Sequence, residues 1–188
     1  MKRHNINWES DDDVLPHVHD CGGIDPLLGV VTVSAKSYQR LGIIIDANAN
    51  LKNRWEQLRN RLSSIGITIP DTPRKDGTIV QGIYEDWKVG IWVMPDNVLT
   101  GRLEDFLCKL IPSNDSCWSY AGEVTNNASK IGAKFPQNKL LDAQLHTWLA
   151  WQKEPGLPFG TAVGAAYFSV DSQEAIQLVE WFKKLFTN

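Results

Sequence analysis

Cysteine is scarce in this chain. Cys21, Cys108 and Cys117 are the three present, and none stands in CxxC spacing. That excludes a disulfide framework and a Cys-rich zinc site, and it fits a reducing cytoplasm. Long apolar runs are also missing, since none approaches the roughly 18 residues of a membrane span. Met1-Lys2-Arg3-His4-Asn5 leads into polar residues without the apolar stretch of a signal peptide. A cytoplasmic chain with no membrane partner is therefore expected. No charge of one sign dominates: the net charge is −3 and the pI about 5.8. A nucleic-acid partner would then need a local basic face or a bridging metal. There is no internal repeat, no low-complexity tract and no Gly/Ser linker. No G-x-S-x-G, Walker A or G-x-G-x-x-G pattern occurs.

What the chain does have is core-forming material. Apolar residues make up 43% of its 188 positions, charged residues 22%, and eight are Trp. This excludes a disordered or fibrous class and allows a sizeable core without staples. The pattern predicts one α/β domain over 1–188, with a polar segment at 1–13, a sheet-containing core at 14–112 and a helical cap at 113–188.

Val14 to His19 alternates as a short strand would, despite Pro16. Asp25-Pro26 suits a helix start, with Leu27, Leu28 and Val31 on one side. Leu41 to Ile45 is a continuous apolar run, the mark of a strand buried on both faces. A helix from about Leu51 to Ser64 follows, ended by Gly66. Ile67 to Ile69 reads as a strand, and Thr78 to Tyr84 with Lys88 to Met94 as a hairpin. Helical periodicity then covers Leu103–Leu110, Ser116 to about Ser129, and Asn138 to about Gln152. A Pro/Gly-rich loop spans 154–160. Asp171 or Ser172 caps a last helix, striped with Ile176, Val179, Phe182, Leu185 and Phe186.

The residues able to carry chemistry cluster after the two most apolar strands. Asp46 and Asn48 follow Ile43-Ile44-Ile45. Ligands of open α/β sheets sit just beyond the C-terminal ends of the strands. Two oxygen donors there suit a hard cation such as Mg2+. The competing reading is that Asp46 or Asn50 caps the next helix. Asp96, in Met94-Pro95-Asp96-Asn97, ends a second apolar strand. It would share a rim with Asp46 if the strands were neighbours, and otherwise it belongs to a simple turn. Glu104 is either an outer metal contact or an acid favoured near a helix N-terminus.

Other features carry weaker readings. His17 and His19 with Cys21 lack a second pair of zinc ligands. His146 on an apolar helix reads as a buried structural histidine. Lys52, Arg54, Arg59 and Arg61 would suit a phosphodiester, or form a solvated helix face. Trp148 and Trp151, three apart, would share a helix face for base stacking or packing.

Three stretches together resemble an uncharacterised bacterial family of Toprim-like proteins. They are Leu41 to Asn48 with Arg54-Trp55; Val89 to Asn97 with Gly101 to Phe106; and His146 to Gln152 with Pro155-Gly156. The resemblance covers about residue 14 to the C-terminus and extends distantly to the Toprim domain of overcoming-lysogenisation-defect nucleases. It implies a mostly parallel sheet flanked by helices, with Mg2+ or Mn2+ serving phosphodiester chemistry. Asp46 matches the first acid of the family's Asp-x-Asp, while Asn48 stands where the second belongs. Asp96 is the additional acid. The Glu acid/base has two alignments: either Glu9 supplies it, or the Glu-bearing first strand is missing and the chain begins after it. The missing strand would expose an edge or be compensated by a homodimer. Three roles remain open at this stage. They are a degenerate nucleic-acid- or partner-binding module, a divalent-metal nuclease-like enzyme, and a structural subunit beside a partner protein such as an ATPase.

Overall fold

A computed structural model describes residues 16–187. These form two compact units, residues 16–102 with 176–187, and residues 103–175.

The first unit is a mixed α/β layer. Helix α1 (Ile24–Ala35) leads to strand β1 (Arg40–Asp46), and helix α2 (Leu51–Ser63) follows it. Strands β2 (Thr78–Gln81) and β3 (Lys88–Met94) complete a three-stranded sheet in the order β1-β3-β2. β1 and β3 run parallel, with Ile43 opposite Ile91 and Asp46 opposite Met94. β2 pairs antiparallel to β3 as a hairpin partner. Parallel neighbours need a crossover, which includes α2 here.

Strand side chains alternate between faces, so each face has its own cover. Ile43, Ile45, Val89, Ile91 and Val93 form one buried face, packed with Val31 of α1 and Trp55, Leu58 and Leu62 of α2. Trp55 resolves its polar edge by donating Nε1 to the Pro70 carbonyl at 2.8 Å. The other face receives the last helix, α7 (Gln173–Phe186), through residues from Ile176 onward. Gly42 and Gly90 lie opposite each other there. A Cβ on Gly90 would stand 2.4 Å from Leu185 Cδ2, and one on Gly42 3.0 Å from Phe186 Cζ. The paired glycines are thus what lets α7 approach the sheet. Trp181 of α7 donates Nε1 to the Thr78 carbonyl at 3.4 Å, and its ring lies 5.8 Å from that of Trp92. Trp92 Nε1 is buried without a hydrogen-bond partner.

The second unit is helical: α3 (Leu103–Lys109), α4 (Ser116–Lys130), α5 (Leu140–Ala150) and α6 (Phe159–Gly164), with a 3-10 turn at Gln137–Lys139. Asp115 organises it. One carboxylate oxygen accepts from the Trp118 amide at 2.8 Å and caps α4. The other accepts from Trp148 Nε1 of α5 at 3.2 Å.

Several local expectations change. Pro16 to His19 is irregular, and Val14 lies outside the described residues. Pro16 offers no N–H, and His17, Val18 and His19 are all exposed, so no apolar face holds a strand there. The N-cap of α1 is Gly23, with Asp25 inside the first turn. β1 is buried on one face only: Gly42 is exposed and Ile44 is 50% exposed, and among the described residues β1 lies at one edge of the sheet. Ile67 and Ile69 are buried in the core, yet their segment joins no sheet. β2 stops at Gln81, leaving a wider turn to Lys88. Part of the Pro/Gly-rich loop becomes α6, entered through Pro158. Ser172 is the cap of α7, its Oγ accepting from the Ala175 amide at 3.2 Å.

Candidate functional site

The C-terminal ends of β1 and β3 leave the sheet side by side. Adjacent strands lie about 4.8 Å apart, and the register sets Asp46 beside Met94, two positions before Asp96. The pairing continues one step, with the Ala47 amide donating to the Met94 carbonyl at 3.2 Å. Asn48 then turns with φ 51° and exchanges two backbone hydrogen bonds with Gly101, at 2.7 and 2.9 Å. That bridge ties the loop after β1 to the far end of the loop after β3. The two segments bearing Asp46, Asn48 and Asp96 are therefore held at one rim of the first unit.

Each loop is set by its own polar residues. Asn50 is the N-cap of α2, its Oδ1 accepting from the Asn53 amide at 2.9 Å. Of the two candidate caps, Asn50 fills the role and Asp46 does not. Asn97, only 2% exposed, adopts φ 63°. Its amide donates to the Val93 carbonyl and its Oδ1 accepts from the Val93 amide, both at 2.7 Å. An asparagine suits this place because it tolerates the left-handed region and mimics a backbone partner. Asp96 Oδ1 accepts from the Val98 and Leu99 amides at 3.1 and 2.8 Å. One oxygen of Asp96 thus shapes the loop, as the turn reading requires.

The remaining candidates fall elsewhere. Glu9 lies outside the described residues. Glu104 sits in the first turn of α3, in the second unit. The cations of α2 all have partners within the protein: Lys52 faces Glu56 at 3.9 Å, Arg54 reaches Gln57 at 3.4 Å, Arg59 meets Asp71 at 2.9 Å, and Arg61 donates to the Leu28 carbonyl at 2.8 Å. Among the described residues, no group of three His, Cys, Asp or Glu side chains is placed to hold a metal ion. Burial, reinforced by the carboxylates of Asp105, Asp142 and Glu104, pushes the Cys108 thiol up to about 12. A thiol so protonated is no nucleophile at neutral pH.

Two aromatic expectations are corrected. His146 is exposed, since α5 turns Leu145 and Leu149 inward beside it; its ring stacks on Phe159 at 5.2 Å. Trp148 and Trp151 do not act as a pair. Trp148 is 1% exposed and committed to Asp115, whereas Trp151 is 43% exposed and stacks on Tyr120 at 5.6 Å. Tyr120 lies on α4, so no spacing within one helix could reveal this platform.

No helix among the described residues is long and apolar enough to cross a membrane. No curated protein and no solved structure matches the chain. A family model described as "Protein of unknown function (DUF3226)" matches residues 1–187. With almost its whole length matched, the chain belongs to that family.

Proposed function

We propose that the rim formed by Asp46, Asn48 and Asp96 binds a divalent cation and, through it, the phosphates of a nucleic acid, and that the chain is a binding module. The observation that carries this reading is the parallel β1–β3 register together with the Asn48–Gly101 bridge, which gathers two acidic segments at the C-terminal edge of the sheet. The donor chemistry suits the group. Mg2+ is commonly held by one or two carboxylates completed by water and substrate phosphates, so a two-carboxylate rim is an adequate set of hard oxygens. When bound, the cation would neutralise phosphate charge beside the acids. Helix α2 opens at Leu51, five residues after Asp46, and helix N-termini favour anions. The Toprim resemblance points to the same chemistry and to the same residues.

Binding without turnover is favoured by the donors themselves. Asn48 brings an amide where the resemblance expects a carboxylate, and Asp96 spends one oxygen on its own loop. Both weaken the hold on a cation. The test is fluorescence anisotropy with labelled single-stranded and duplex DNA and RNA, in Mg2+ and in chelator, with gels run on the same samples. Binding that Mg2+ strengthens and Asp46→Asn weakens, with the nucleic acid intact, is expected. Cleavage that Asp46→Asn abolishes would replace the module by a nuclease. No binding under any condition would remove the nucleic acid from the account.

A further inference from the structure

The loop between Pro70 and β2 meets the same rim from the other side. β2 runs antiparallel to β3 with Thr78 opposite Ile91, so the chain enters β2 at the end by which β3 leaves. β3 is the central strand, with β1 on one side and β2 on the other. The loop is anchored along its length. Trp55 Nε1 donates to the Pro70 carbonyl, and Asp71 pairs with Arg59 at 2.9 Å. The Arg74 amide donates to Thr78 Oγ1 at 3.0 Å, and the Arg74 carbonyl accepts from the Gly77 amide at 2.9 Å. Gly77 takes φ 84°, with the Trp181 ring where a Cβ would stand. Asp76 faces Lys184 of α7 at 3.7 Å. The Lys75 carbonyl accepts from Asn97 Nδ2 at 3.4 Å, which joins this loop to the residue after Asp96.

Both acids of the loop, Asp71 and Asp76, are thus engaged, while its two cations are not. Arg74 and Lys75 are exposed, and among the described residues neither side chain has an ion pair or a hydrogen bond. A chain of net charge −3 needs a local basic element to receive a polyanion. We infer that Arg74 and Lys75 contact the phosphodiester backbone of a nucleic-acid strand lying along this rim, so that the loop is the phosphate-binding arm of the site. Its anchored backbone leaves only two side chains to be ordered on binding, which keeps the entropic cost small. Arg brings a planar fork for two phosphate oxygens, and Lys a point charge. Phosphate contacts position a strand without reading its bases, so the arm is indifferent to sequence. The choice of ligand rests on the rim's proposed function, but the two contacts need no cation.

The test is fluorescence anisotropy of the full chain with labelled single-stranded DNA over a series of salt concentrations, in chelator and in Mg2+. Each phosphate contact adds about 0.7 to the slope of log affinity against log salt for a single strand. Arg74→Gln and Lys75→Gln should each lower the slope by about that amount, and the double variant should bind about tenfold or more weakly at low salt. Arg74→Lys should keep the slope. Mn2+ uptake and the thermal melt of the double variant should match wild type, since both side chains are exposed. Affinity and slope unchanged in the double variant would overturn the inference and leave the cation rim standing. A wild type that binds no strand in either condition would overturn it too. Weakened binding by the double variant, with indifference to Mg2+ and to Asp46→Asn, would support the arm and remove the cation from the rim. Inorganic tripolyphosphate that displaces the strand at equal phosphate concentration would assign the arm to a free polyphosphate and overturn the strand.

Discussion

Asp115 shows how much one side chain can hold in the helical unit. It caps α4 with one oxygen and satisfies the buried Trp148 indole with the other. Asp115→Ala removes a cap and strands an indole N–H, a loss of about 1–3 kcal/mol. Urea unfolding of that variant measures it, and an unchanged midpoint would contradict the assignment. Cys108 gives a second residue-scale prediction. Its thiol is raised in the folded chain, so the native state binds a proton that the unfolded state releases first. The resulting stabilisation is complete below the ordinary thiol value and is lost as pH rises toward about 12. At pH near 8 an alkylating reagent should modify exposed Cys117 promptly and spare Cys108 until the chain unfolds. Equal rates for the two thiols would refute this.

At the scale of elements, α7 against the sheet is the contact most sensitive to a single methyl group. Gly90→Ala sets a Cβ against Leu185 and should destabilise by about 1–3 kcal/mol. Gly29→Ala is the matched control. Gly29 is inside α1 with nothing within 4 Å of its Cβ direction, so the added methyl should stabilise by about 0.5–1 kcal/mol. Thermal melts of the two variants should therefore move in opposite directions. The same elements show what could be read beforehand. The strands at 40–46 and 88–94 and the long helices were legible because local apolar periodicity makes them. The one-sided burial of β1 was not, because an edge strand and a central one share the same Ile-Ile-Ile run. Nor did the Ile67–Ile69 segment reveal itself, since burial alternates there without a ladder to join.

At the scale of the whole chain, the rim depends on contacts far apart in sequence. Asp46 and Asp96 could each be read as a strand-end acid. Their shared edge follows from strand order and from the Asn48–Gly101 bridge, and neither has a local signature. Asn97 was legible only as part of a Pro-Asp-Asn turn, because its partner is the Val93 backbone rather than a motif. The central claim is that this rim holds a divalent ion. Titration of the full chain with Mn2+, followed by electron paramagnetic resonance of the free ion, tests it most directly. Wild type should bind one Mn2+ that Mg2+ displaces, and Asp46→Asn and Asp96→Asn should each weaken it at least about tenfold. Mn2+ uptake unchanged in both variants, or absent from wild type, would contradict the claim.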